Sequence, residues 1–234
     1  MIREASTSLK GTGNEGSRAE DTKWGMLDAA AFGLYYSQSG KYSRKERKRM
    51  DAFETLIATL LRHEGFWVHP SFRVELTRED KRAINRPSSP RWELDLLAYR
   101  PQGNIVRVVE CKSYLDSTGV DFSDLTGGQY AGRFKLFTEE GLWKVVRARL
   151  VSQMEQLGMC LPSPRIELCL AAGKVASNED RPRLRDLAAQ QGWTFFDDEW
   201  LVRSVERLAS RGYENDIATI VAKLLVRAKA GVAG

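Results

Sequence analysis

Apolar residues recur at helical spacing at Met50, Phe53, Ile57, Leu60 and Leu61. The pattern predicts a helix from Ser43, a good N-cap type, to Gly65, suited to the left-handed position after a helix end. FWVHPSFRVEL, RWELDLLAY and IVRVVECKSY then read as three strands, short runs rich in Val, Ile, Leu and aromatic residues. A polar stretch, TREDKRAINRPSSP, separates the first strand from the second. Between Phe122 and Phe137 the chain is Gly-rich and shows no clear period. Beyond it Trp143, Val146, Leu150, Met154 and Leu157 form a helical stripe, and RIELCLAAGKV reads as a buried strand. NEDRPRLRDLAAQQG (helix), WTFFDD (strand) and two further helices, DEWLVRSVERLASRG and YENDIATIVAKLLVRAK, complete the pattern. Such an order predicts a mixed α/β fold whose sheet is covered by helices.

Residues 1 to about 22 are Gly, Ser, Thr and charge without apolar period, the composition of a flexible arm. WGMLDAAAFGLYY, from Trp24 to Tyr36, suits a short accessory helix. Three segments follow as expectations: an arm with its accessory helix over 1–40, a core over 41–197, and a helical extension over 198–234 that packs on the core or joins two copies. Lys and Arg number 36 against 31 Asp and Glu, a net charge of +5, so the basic bias is mild. No run approaches the roughly 18 apolar residues of a membrane helix. The first residues lack the apolar stretch of a signal peptide, so a cytoplasmic protein without membrane contact is expected. Cys111, Cys160 and Cys169 are odd in number and show no Cys-x-x-Cys, and the two histidines, His63 and His69, lack ligand spacing. These features exclude a disulfide framework and a zinc ribbon, and leave the cysteines as small buried hydrophobes.

The chemistry concentrates in Glu93-Leu-Asp95-Leu-Leu-Ala-Tyr and Val108-Val-Glu110-Cys-Lys112. Pro101 and Gly103 suit the second and fourth positions of a type I turn, so these strands form a hairpin. Centred between Gln102 and Gly103, the hairpin places Asp95 opposite Glu110 and Glu93 opposite Lys112, all on one face. Facing carboxylates repel, and a fold gains nothing from them unless a cation lies between. Lys112, about 6.6 Å beyond Glu110 by the strand rise, is placed to polarise a water or a phosphate oxygen. Glu54 borders the apolar face of the first helix, where an acid would be half buried.

In these residues the chain resembles the PD-(D/E)XK nuclease superfamily, with its restriction-endonuclease-like fold. Asp95 matches the family's first acid and Glu110-Cys111-Lys112 its (D/E)-x-K tripeptide. Glu54 resembles the acid on the preceding helix, and the order αβββαβ over about residues 43–172 resembles the family core. The continuation through WTFFDD is similar to the Mrr-like branch, while Leu94 stands where the family pattern carries a proline. The resemblance implies metal-dependent hydrolysis of DNA. Asp95, Glu110, the Cys111 carbonyl and Glu54 would hold Mg²⁺ or Mn²⁺, Lys112 would orient the attacking water, and Gln153 on the long helix would support the site. Glu93 is read as the cross-strand partner of Lys112.

Basic residues offer phosphate contacts in three places. Lys41, Arg44, Lys45, Arg47, Lys48 and Arg49 open the first helix, and Lys81, Arg82, Arg86 and Arg91 precede the Asp95 strand. The third stretch comprises Arg133, Lys135, Lys144, Arg147 and Arg149. No helix-turn-helix, zinc finger or RNA-recognition signature stands out, so DNA rather than RNA follows from the resemblance alone. A homodimer would suit double-strand cleavage, and any energy-driven partner would be a separate protein. The competing readings are a noncatalytic nucleic-acid-binding or assembly subunit that keeps the fold, and an unrelated α/β domain with a chance motif. The last would be favoured if Asp95 and Glu110 lay far apart or on opposite faces.

Overall fold

Asp51 opens the first helix of the structure, a computed structural model that describes residues 51–232 apart from positions 90 and 213, with side chains described to residue 228. Its backbone is extended and its carboxylate accepts from the Glu54 N–H at 2.7 Å, so helix α1 spans Ala52–His63. The predicted start at Ser43 lies outside the described residues. An extended Asp51 nevertheless interrupts any helix running through from there, because its short carboxylate takes the amide that a preceding turn would have bonded.

Strand β1 (Trp67–Glu75) pairs antiparallel with β2 (Arg91–Arg100), and β2 pairs antiparallel with β3 (Ile105–Lys112). Strands β4 (Arg165–Ala172) and β5 (Thr194–Phe196) add parallel to β3, giving a mixed five-stranded sheet in the order β1-β2-β3-β4-β5. Pro70 is tolerated in β1 because that strand is an edge. The polar stretch read as a loop contains helix α2 (Arg78–Ala83), closed by a capping box in which Thr77 and Asp80 bond each other's backbone N–H. The Gly-rich segment folds into α3 (Phe122–Leu125), a 3-10 turn (Ala131–Arg133) and α4 (Lys135–Thr138). Then come α5 (Glu140–Gln156), α6 (Asp180–Gln191), α7 (Asp198–Ser210) and α8 (Ile217–Val232).

Helices cover both faces of the sheet. Leu142, Val146, Leu150 and Met154 of α5 and Leu184 of α6 pack with Val106, Val108, Leu168 and Leu170. On the other face Ile57 and Leu61 of α1, Leu201 and Leu208 of α7 and Ala222 of α8 pack with Leu96, Ala98, Val109 and Cys169. Each large buried side chain contributes about 1.5–3 kcal/mol by leaving water. The α5 stripe differs from expectation at its end, where Leu157 is 45% exposed and Leu142 is buried instead. Because the helix ends at Gln156, Leu157 lies past the buried face.

The β2–β3 turn is centred as the sequence predicts, and the register from Leu96↔Val109 to Arg100↔Ile105 follows. Its phase differs by one residue: Asn104 N–H bonds Pro101 O at 2.9 Å, which puts Pro101 first and Gly103 third. Gly103 has φ +83°, a value glycine adopts without strain, which explains its place at the third position. Beyond β3 the chain is stitched to the segment leaving β4, with Gly173 N–H bonding Lys112 O at 2.8 Å. Gly173 must be glycine there, since a Cβ would lie 2.2 Å from Ser113 O.

Candidate active site

Strand β2 does not alternate evenly. Leu97 and Tyr99 face α5, as do Trp92 and Leu94, whereas Leu96 and Ala98 face α1. The phase therefore slips by one between Leu94 and Leu96, and Asp95 occupies the slip. Strand β1 slips at the same level: Val68 faces α1 while Phe72 and Val74 face α5, and Ser71 between them has φ +48°. Here β2 leaves β3. The ladder between them ends at Leu96↔Val109, after which β2 continues against β1 alone while Glu110, Cys111 and Lys112 pair with Leu170, Ala171 and Ala172 of β4.

Asp95 sits at this fork. Its Oδ2 accepts from the Cys111 N–H at 2.9 Å, so the carboxylate takes a backbone donor that the ended ladder no longer serves. Glu110 and Lys112 project from one face of β3, and Lys112 Nζ donates to Glu110 Oε1 at 2.7 Å, with both side chains about four-fifths buried (20% and 18% exposed). Glu54, on α1, is only 6% exposed, deeper than the half-buried position expected from its place on the stripe. Burial pushes the Cys111 thiol up, and the charges of Asp95, Glu54, Glu110 and Asp51 push it further. Four carboxylates thus act on the one thiol in the middle of the tripeptide. Burial works against the Lys112 charge, but Glu110 and then Asp95 hold its ammonium above the ordinary lysine range.

The structure thus brings Asp95, Glu110, Cys111 and Lys112 to the fork, while Glu54 stands on α1, which covers the face of the sheet that carries the Cys111 side chain. The predicted direct pairing of Asp95 with Glu110 is replaced by the Asp95 bond to Cys111, one residue further on. Glu93 does not meet Lys112: it is exposed and lies 3.6 Å from Arg73 on β1, because this half of β2 has already left β3. Gln153 is engaged elsewhere. Its Oε1 accepts from Glu75 N–H and its Nε2 donates to Arg73 O, each at 3.0 Å, so the amide serves the open edge of β1.

Among the predicted phosphate contacts, Arg86 makes a two-pronged bond to Glu139 at 2.8 and 3.0 Å and lies over Trp92, which ties the α2–β2 loop to α5. Arg91 reaches Glu75 across the strands at 4.0 Å. Lys81 and Arg82 lie in the last turn of α2. Arg44, Lys45 and Lys48 lie outside the described residues, as do the predicted arm and accessory helix.

Sequence reading missed two neighbours of the site. Asp51 joins the acid group, and its spacing to Glu54 has the form of a helix-start signature. The ring of Phe134, fully buried, lies 5.6 Å beneath Lys112 Nζ and backs the ammonium from the Gly-rich segment, whose pattern gave no signal.

The donor set suits a hard cation. Asp95, Glu110, Glu54 and the Cys111 carbonyl offer oxygen, while the Cys111 thiol, pushed up by its surroundings, is a poor source of thiolate. Of the three cysteines expected to be buried, Cys169 is, and Cys111 and Cys160 are half-buried. Among the described residues, the trio whose ligand atoms lie within 4.8 Å of one another is elsewhere, at His63, Glu214 and Asp216. There Arg211 Nη1 lies 2.9 Å from His63 Nδ1. A guanidinium only donates, so Nδ1 is taken up as its acceptor, and Nε2 lies 3.3 Å from Glu214. Among the described residues no helix is long and apolar enough to cross a membrane. Compared with known protein families, curated proteins and solved structures, the chain shows no match.

Proposed function

We propose that the chain is a Mg²⁺- or Mn²⁺-dependent nuclease of the restriction-endonuclease-like type that hydrolyses DNA phosphodiester bonds. The observation that carries the reading is the fork between β2 and β3, where Asp95 bonds the backbone between Glu110 and Lys112, with Glu54 buried on α1 on the Cys111 side of the sheet. Buried carboxylates of like charge are costly to a fold and useful to a cation site. A divalent ion held there would lower the pKa of a bound water and neutralise phosphate charge. The protein residues do the rest. Asp95 and Glu110 fix the ion's place relative to β3, Glu54 closes the site from α1, and Lys112 donates hydrogen bonds that orient the attacking water and offset charge developing on the phosphate.

Nicking of supercoiled DNA tests the reading, with wild type in Mg²⁺, Mn²⁺ or EDTA beside Asp95→Asn and Lys112→Ala. Metal-dependent cutting that falls by 100-fold or more in both variants is the expected outcome, given the size of such electrostatic contributions. Equal cutting by the Asp95→Asn protein would overturn it. Folded wild type that binds DNA and never cuts it, in either metal, would move the assignment to a binding subunit.

A further inference from the structure

The Gly-rich segment after β3 carries two arginine-over-aromatic pairs. The Arg133 guanidinium lies 4.4 Å from the centre of the Tyr130 ring, and Tyr130 is 47% exposed. The Arg183 guanidinium lies 3.9 Å from the Phe122 ring and is steadied by Asp180 at 3.4 Å. Short bonds hold the pairs in one piece of structure: Gly128 N–H to Ser123 O at 2.7 Å, Ala131 N–H to Gly128 O at 3.0 Å and Arg133 N–H to Tyr130 O at 2.8 Å. Gly127 faces open space, as does Gly132 inside the 3-10 turn. The platform is tied through the chain to the candidate site, since Phe134, next to Arg133 in sequence, is the ring beneath Lys112.

We infer that Tyr130–Arg133, with Phe122–Arg183 beside it, is a stacking platform for unpaired nucleobases flanking the phosphate at Lys112. The inference rests on the nuclease reading and narrows its substrate to single-stranded or frayed nucleic acid. Flat guanidinium and phenol faces bind the π-face of a base, which a duplex hides within its own stack and single strands expose. The charge of each guanidinium draws the backbone to the same place. Stacking alone does not distinguish deoxyribose from ribose, so the ligand chemistry is an unpaired base on a phosphodiester chain.

The test is fluorescence anisotropy in EDTA, where no cutting occurs, with a labelled 15-nucleotide single strand, the same sequence closed into a hairpin duplex, and the RNA version of the single strand. Wild type binds the single strands more tightly than the duplex. Tyr130→Ala weakens single-strand binding by roughly 5- to 100-fold while Tyr130→Phe retains it, the range expected from loss of one stacked base. Arg183→Ala, at an exposed position on α6, weakens it as well. RNA binding with the same dependence on Tyr130 supports the same base-stacking chemistry. Tyr130→Ala binding single strands like wild type, or losing single strand and duplex equally, would overturn the inference. The two readings fail separately: single-strand binding through Tyr130 without metal-dependent cutting removes the nuclease and leaves the platform, and cutting with binding indifferent to Tyr130 does the reverse.

Discussion

Lys112→Met isolates what the lysine does for the folded protein before any chemistry. The substitution keeps most of the aliphatic stem against Phe134 and removes the charge that lies 2.7 Å from Glu110 Oε1. At an effective dielectric of about 20, unit charges about 3 Å apart attract by roughly 5–6 kcal/mol, most of which is cancelled by desolvation and side-chain ordering. Removing one member of a fully buried pair costs about 3–5 kcal/mol, and an exposed pair is worth about 0–1. With both side chains about one-fifth exposed, the loss expected here is about 2 kcal/mol. The Glu110 carboxylate is then left four-fifths buried without the Lys112 ammonium. Mg²⁺ at ten times its dissociation constant would return about 1.4 kcal/mol by binding the folded state alone. Urea unfolding of wild type and Lys112→Met, each in EDTA and in Mg²⁺, reads both quantities. A midpoint unchanged by the substitution, or a loss that Mg²⁺ leaves untouched, would refute the idea that Lys112 and a cation balance the same acids.

Three other substitutions test the surroundings. Gly173→Ala forces a Cβ to within 2.2 Å of Ser113 O and should destabilise by about 2 kcal/mol or more, read as a lowered Tm. Gln153→Ala leaves Glu75 N–H and Arg73 O on the edge of β1 without their amide partner and should lower stability by about 1 kcal/mol while kcat stays within about threefold; a large kcat loss at unchanged stability would restore Gln153 to the site. Burial works to raise the Asp80 carboxyl, but bonds from Thr77 and Arg149 outweigh it and hold the group below its ordinary value of 3.8. Its contribution is therefore complete above the ordinary carboxyl range and lost as pH falls from about 4 through the lowered value, so Asp80→Asn should flatten the acid limb of a stability–pH curve.

Much of this was legible in the sequence for physical reasons. The Pro101–Asn104 turn fixes the centre of the hairpin and its register up to Leu96↔Val109, beyond which Asp95 meets the Cys111 N–H rather than Glu110. The apolar stripes at Phe53, Ile57 and Leu61 and at Val146, Leu150 and Met154 give the buried faces of α1 and α5. What escaped has one cause at β2: period-two reasoning assumes even alternation, and the slip at Ser71 and Asp95 breaks it on both strands. That slip sends Glu93 to Arg73 rather than to Lys112. Helix α2 escaped because it has no buried residue and is marked only by its Thr77–Asp80 capping box. The depth of Glu54 and the place of Phe134 depend on contacts distant in sequence, which no local pattern encodes.

Cleavage depends on presenting the right substrate, whereas cation binding depends on the protein alone. The most direct measurement is therefore a Mn²⁺ titration of the DNA-free protein followed by electron paramagnetic resonance, comparing wild type with Asp95→Asn and Glu110→Gln. The account predicts bound Mn²⁺ in the wild type and at least a tenfold weaker affinity in each variant. Mn²⁺ binding that is absent from the folded wild type, or the same in all three proteins, would contradict it.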